Sequence, residues 1–347
     1  MVSDRSPLAP PAGGVLVIGE ALIDIVRRPG QAPRYLPGGS PMNVAVGLGR
    51  LGWAPWLASW YGRDDFGRMI ERHCADSGVS LLPGSAGAAR TSTAEAVIDA
   101  AGRAQYGFDL DWRLAPIPPR WRPALVHTGS IGAERAPGGW DVLAYVESIR
   151  AEAIITFDPN CRPPVIGPAD QVAAMVERYV AAADLVKVSD EDLAWLYPGD
   201  DDRDRLIDRA ADWLGLGPAV VVVTLGGAGS VTVTKGAGTI VAPADTSHPL
   251  VDTVGAGDAF MAGLIDGLLG RSLGQVGEPP AGWPSRSVEA IRAGLGGDRP
   301  GLEAILAQAG RIAGVTVSRP GADPPWWNEL AGDGRSVGLG PEAKAEP

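Results

Sequence analysis

The sequence has little with which to cross-link itself, hold zinc or span a bilayer. Its two cysteines, Cys74 and Cys161, cannot build a disulfide framework or a four-thiolate zinc site. The three histidines, His73, His127 and His248, lack His-Glu-x-x-His spacing, so no zinc hydrolase is indicated. Basic residues fall short of acidic ones, 30 against 41, for a net charge of −11. No basic run offsets this, so neither nucleic acid nor an anionic membrane surface is an expected partner. The longest apolar runs, Ala219–Val223 among them, are far below the ~20 residues a spanning helix needs. No basic-then-apolar signal stretch opens the chain, and the expected location is cytoplasmic. A Gly-x-x-x-x-Gly-Lys-Ser/Thr phosphate loop is also missing.

Glycine (48) and proline (31) are plentiful, yet stay just below the roughly 25–30% that marks low complexity. They are therefore expected in turns and ligand loops. Val15-Leu16-Val17-Ile18 is a short apolar run closed by Gly19, the pattern of a buried strand. Similar runs lie at Leu125-Val126, Ala153–Phe157, Leu185–Val188 and Ala219–Val223. Helical patterns alternate with them over Asp64–Asp76, Trp140–Ile149, Asp170–Ala182 and Arg203–Leu214. That alternation predicts a mainly parallel sheet with helices on both faces. Each run ends in a polar or glycine-rich segment, so one cleft at the strand carboxyl ends should gather them all. The rhythm breaks at Thr93–Asp99 and Gln105–Phe108, which read as a hairpin around Ala101-Gly102, with Arg34-Tyr35-Leu36 as a nearby strand. These segments, near 30–37 and 91–112, are expected to form a small lid. Tails are expected over 1–13 and 332–347, flanking one domain over 14–331, and a surface loop over 270–286.

Two segments carry chemistry. In Asp252-Thr253-Val254-Gly255-Ala256-Gly257-Asp258-Ala259-Phe260, a helix follows from the stripe Phe260, Leu264, Leu268. Gly255, Ala256 and Gly257 then leave bare amides at its N-terminus, a site for an anion such as a transferring phosphoryl group. Asp258, in the first turn, is placed to accept a proton from an attacking hydroxyl. Taken alone, the string fits an Asp capping a glycine turn still better. The other segment is Pro37-Gly38-Gly39-Ser40-Pro41-Met42-Asn43. Ser40 reads as an N-cap, Pro41 as the first helical residue, and Val44, Leu48 and Leu51 as the buried stripe before Gly52. Gly38 and Gly39 admit a ligand close to the backbone, and Asn43 offers a donor and an acceptor suited to a sugar hydroxyl. Gly47-x-Gly49-x-x-Gly52 mimics a dinucleotide fingerprint, but it falls late in a helix and is rejected.

Together, Gly38-Gly39-x-x-x-Asn43 near the start and Asp252-Thr253-x-Gly255-Ala256-Gly257-Asp258 near the end resemble the PfkB-type (ribokinase-like) carbohydrate kinases. The resemblance covers about Val15 to Pro325. It implies an α/β fold, a Rossmann-type three-layer α/β/α sandwich with a small β-sheet lid, and an ATP-dependent kinase. It implies Asp258 as catalytic base and Gly255, Ala256 and Gly257 as anion hole. Asp24, Gly38, Gly39 and Asn43 match sugar ligands. Ser189, Thr224, Gly226, Gly227 and Gly229 match nucleotide contacts, with Gly257. Asp252, Val254, Thr316, Arg319 and Gly321 match a K⁺ site. The family's Asn-x-x-Glu motif near Mg²⁺ reads Ser189-Asp190-Glu191-Asp192 here, so Asp192 or Glu191 would act through water. Leu22 replaces an Asn of ribose-type members, which disfavours ribose. Asp158-Pro159-Asn160-x-Arg162-Pro163 is similar to fructokinase and 2-keto-3-deoxygluconate kinase members, with Arg162 reaching phosphate oxygens. The expected reaction is transfer from MgATP to a primary hydroxyl of a ketohexose, foremost fructose. Ribose, 2-keto-3-deoxygluconate or a nucleoside are the alternative acceptors, and a non-catalytic sugar sensor is the last. Exposed lid edges would suit a homodimer.

Overall fold

Runs of Val, Ile and Leu with no charged partner can only be covered on both faces, and this dictates the layering. The computed structural model describes residues 13–99, 103–199, 202–270 and 288–330. Nearly all of the two expected tails, the loop over 270–286 and the turn at Ala101-Gly102 lie outside them. In chain order come β1 (Val15–Ile18), β2 (Leu22–Arg27), β3 (Arg34–Gly38), α1 (Ser40–Arg50), β4 (Trp56–Ala58) and α2 (Asp65–Asp76). Next are β5 (Ser80–Leu81), β6 (Thr93–Ile98), β7 (Ala104–Asp109), β8 (Leu125–Gly129), α3 (Ser130–Glu134), α4 (Gly138–Ile149) and β9 (Ile154–Asp158). Then follow α5 (Pro163–Ile166), α6 (Ala169–Ala182), β10 (Leu185–Ser189), α7 (Asp190–Leu196), α8 (Arg203–Leu214) and β11 (Val220–Thr224). The rest are β12 (Ser230–Thr234), β13 (Thr239–Ala242), α9 (Ala256–Leu268), α10 (Val288–Gly294), α11 (Arg299–Val317) and α12 (Trp327–Leu330).

The large sheet runs β13-β12-β11-β10-β9-β8-β1-β4-β5. Its strands from β11 to β5 are parallel, and β12 and β13 are antiparallel additions. Side chains alternate between two cores. Val15 and Val17 face one with α1, α9 and α11, while Leu16 and Ile18 face the other with α4 and α6. The result is the expected three-layer α/β/α sandwich.

Helix α1 is poor by propensity, since Gly47 and Gly49 each cost about 0.5–1 kcal/mol. Burial of Met42, Val44, Val46 and Leu48 contributes about 1.5–3 kcal/mol apiece and wins. The expected stripe is buried, but so is most of the rest of the helix. A methyl at Gly47 would come 2.8 Å from Ala262 Cβ, so the small residue lets α1 lie directly on α9. This contact fixes the two motif helices against each other. Ser40 is not the N-cap: Gly39 is, and Ser40 is the first helical residue. Its hydroxyl makes no cap bond because it is used elsewhere, as described below.

The smaller sheet runs β3-β2-β6-β7. The hairpin of β6 and β7 forms with Ala94 opposite Phe108. The segment after β1, read from sequence as a ligand loop, supplies a strand of this lid instead, β2. Asp24 on β2 pairs with Ala94, so Asp24 and Phe108 share a lid face.

Candidate active site

Gly255 caps α9 with φ 76°, in the left-handed region that glycine enters at no steric cost. A methyl there would sit 2.5 Å from Ala322 Cβ, so the turn also packs directly on the 316–323 segment. Ala256 N–H donates to Thr253 O at 3.2 Å, which closes the turn, so of the three amides expected to be bare only those of Gly255 and Gly257 have no acceptor among the described residues, at the positive end of the helix dipole. Asp258 lies in that turn and is buried.

Three side chains from elsewhere hold its carboxylate. Ser40 Oγ donates to Oδ1 at 2.6 Å, Asn43 Nδ2 to Oδ2 at 2.8 Å, and Asn160 Nδ2 to Oδ1 at 3.3 Å. Asn160 also donates to Ser40 Oγ at 2.7 Å. Asn160 has φ 42°, a conformation asparagine tolerates, which turns its amide inward from the end of β9. The two sequence motifs therefore meet at one carboxylate. Ser40 and Asn160 join this cluster although the motifs assign neither to it. The signal was present, since both flank assigned positions, but only packing shows where they point.

Glu20 underlies the cluster. Its carboxylate accepts from Ser40 N at 3.3 Å and Gly132 N at 2.8 Å, and burial pushes it up to about 7. Asp24 stands on Gly38: a methyl at Gly38 would fall 2.1 Å from Asp24 Oδ2. Burial pushes Asp24 up to about 6, against the opposing charge of Arg162. Arg162 is exposed, and its guanidinium donates only to the Asn160 and Cys161 carbonyls among the described residues.

Ser189 and Thr224 are register partners at the ends of β10 and β11. Beside them Gly226, Gly227 and Ala228 form a 3₁₀ turn closed by Leu225 N–H donating to Gly229 O at 2.8 Å. Asp192 is buried as half of a capping box with Ser189, and its Oδ1 accepts from Cys161 N at 2.9 Å. Both of its oxygens thus hold main chain, while Glu191 is exposed. Asp158, at the end of β9, is fully buried; its Oδ2 accepts from Lys187 Nζ at 2.9 Å, and its Oδ1 has no partner. Sequence reading took Lys187 only as part of a strand, although a charge inside an apolar run was a signal. Farther along, Asp252 accepts from Val254 N at 3.0 Å and Gly321 N at 2.8 Å, and Arg319 N–H donates to Thr316 O. The 252–254 and 316–321 segments are thereby joined.

A buried carboxylate in the first turn of a glycine-led helix, gathered with polar side chains from the carboxyl ends of parallel strands, fits a small-molecule phosphotransferase. The profile of the pfkB family carbohydrate kinases matches residues 13–328. The chain is 32% identical over 277 residues to a fructokinase of Klebsiella pneumoniae, covering 75% of this chain and 86% of that one. It is 34% identical over 267 residues to a fructokinase of Rhizobium leguminosarum bv. trifolii, covering 73% and 79%. A crystal structure of fructokinase from Xylella fastidiosa with bound ATP superposes with TM-score 0.72 at 23% identity, over 91% of this chain and 96% of that one. A fructokinase from Vibrio cholerae O395, solved with fructose, ADP and potassium ion, gives 0.69 at 25% identity, over 89% and 94%. The chain belongs to the pfkB family of carbohydrate kinases and is an ATP-dependent sugar kinase. Among the described residues no helix is long and apolar enough to cross a membrane.

Proposed function

We propose that the protein phosphorylates a primary hydroxyl of a ketohexose, foremost fructose, with Asp258 as the base. The convergence of Ser40, Asn43 and Asn160 on Asp258 carries this reading. Each carboxylate oxygen has two lone pairs, so a bound hydroxyl can still be accepted. Asp24, Gly38, Gly39 and Asn43 line the acceptor site. The hydroxyl oxygen attacks the γ-phosphorus as its proton passes to Asp258. The bond to the bridging oxygen breaks, and its electron pair leaves on ADP. The Gly255 and Gly257 amides and Arg162 stabilise the charge on the moving group. Ser189, Thr224, Gly226, Gly227 and Gly229 cradle the nucleotide.

Mg²⁺ suits the residues present, because the unpartnered Asp158 Oδ1 is a buried anionic acceptor. Asp158, Asp192 and Glu191 would hold the ion's water shell, and the ion would shield phosphate charge. Carbonyls of Thr316, Arg319 and Gly321, with Asp252 and Val254, would hold K⁺. Leu36, Tyr106 and Phe108 are exposed on the lid and suit pairing of two lids in a homodimer. ADP release over fructose, ribose, 2-keto-3-deoxygluconate and nucleosides tests the assignment. Fructose should give the highest kcat/KM, and Asp258→Asn should lose about 10²–10⁴ in kcat. Unchanged turnover in that variant would contradict the assigned base.

A further inference from the structure

Lys187 lies in the middle of β10, between Val186 and Val188, with 3% of its surface exposed. Its ammonium reaches two things. Asp158 Oδ2 is 2.9 Å away, and a methyl placed on Gly257 would come 3.0 Å from Nζ. The charge thus rests against the main chain of the α9 first turn. That is the wrong place for a cation, since the helix dipole is already positive there. Burial also works against the charge, yet Asp158 outweighs it and Lys187 holds its proton more tightly than an ordinary lysine.

The pair is only half satisfied. An ammonium has three N–H donors, and among the described residues one is used. Asp158 keeps one oxygen buried and unpartnered. A partly buried ion pair behaves differently. At the opposite end of the sheet Arg292 donates to both oxygens of Asp184 and to the Ala153 carbonyl, and Ile155 N–H donates to Asp184 as well. A pair that serves only packing uses its polar atoms in that way, because leftovers cost stability. At Lys187 the leftover donors face the anion hole.

We propose that Lys187 is a catalytic residue whose ammonium contacts a non-bridging oxygen of the γ-phosphoryl group. The inference rests on the reading of Asp258 and the adjoining amides as the transfer site. Lys187 stays protonated throughout: the acceptor oxygen–phosphorus bond forms, the phosphorus–bridging oxygen bond breaks, and the acceptor proton goes to Asp258. Asp158 is the positioning residue that keeps the ammonium against Gly257. An anion bound there relieves the repulsion between Lys187 and the helix dipole.

The test uses the full-length enzyme, Lys187→Met and the double variant Lys187→Met/Asp158→Asn. Turnover, melting temperature, and calorimetric affinities for ADP and the β,γ-imido ATP analogue without acceptor are measured. Removing one donor to developing charge should lower kcat about 10²–10³-fold in Lys187→Met. Analogue affinity should fall about tenfold more than ADP affinity, because only the analogue carries a γ-phosphoryl. The double variant removes the stranded Asp158 charge, so it should regain the melting temperature but not the rate. If the single variant does not fold, the double variant's rate and affinities decide. Turnover within about threefold of the parent, equal loss of both nucleotides, or recovery of rate in the double variant would overturn the proposal. The affinity comparison needs no proton transfer. Failure of the Asp258 reading would instead show as full turnover in Asp258→Asn with nucleotide affinities unchanged.

Discussion

Glu20 is joined to Asp258 through Ser40, and its burial makes a signed claim about stability and pH. Its ordinary value is 4.5 and burial raises it to about 7. Between those values the native state binds more protons than the unfolded chain. Stability is therefore fully present below about 4.5 and declines as pH rises through about 7. At about 1.4 kcal/mol per pH unit, the whole span is worth about 3 kcal/mol. Glu20→Gln cannot ionise, so this loss disappears. The substitution has its own cost of about 1–3 kcal/mol, since an amide cannot accept from both Ser40 N–H and Gly132 N–H. That cost is the same at every pH. The informative quantity is thus the gap between parent and variant. Urea unfolding at pH 5 and pH 8 should show it moving by about 2–3 kcal/mol in the variant's favour. A constant gap, or movement the other way, would refute the argument that Glu20 is held protonated by burial.

Burial raises Asp24 to about 6, and in the proposed acceptor site its ionised form is the one that would accept a sugar hydroxyl bond. The sugar KM should rise as pH falls through about 6, and Asp24→Asn should bind at least about tenfold more weakly with no such dependence. A pH-dependent KM that persists in the variant would exclude Asp24. Gly255→Ala forces a left-handed residue and a contact with Ala322, so it should cost more than about 2 kcal/mol in unfolding experiments. A parent-like unfolding midpoint would show that the α9 turn tolerates a side chain.

The amino-acid sequence alone determined the layered architecture, because apolar runs and helical periodicity are local properties that leave one way to bury both sheet faces. It also determined the two motifs, since glycines before a first-turn carboxylate act through their own backbone. What it could not determine was which side chains meet. Leu22–Arg27 looks like loop from its neighbours, and becomes a lid strand only by pairing with Arg34–Gly38 and Thr93–Ile98. Ser40 has the makings of a helix cap, yet its hydroxyl is taken by Asp258, which lies 218 positions away. Asn160, Glu20, Asp158 and Lys187 gain their roles in the same way. Glu20, Asp158 and Asn160 lie at or just beyond the carboxyl ends of parallel strands and Lys187 lies within one, and only the tertiary order of those strands brings them to one helix terminus. Contact between residues far apart in the chain depends on how the layers pack, which no local pattern encodes.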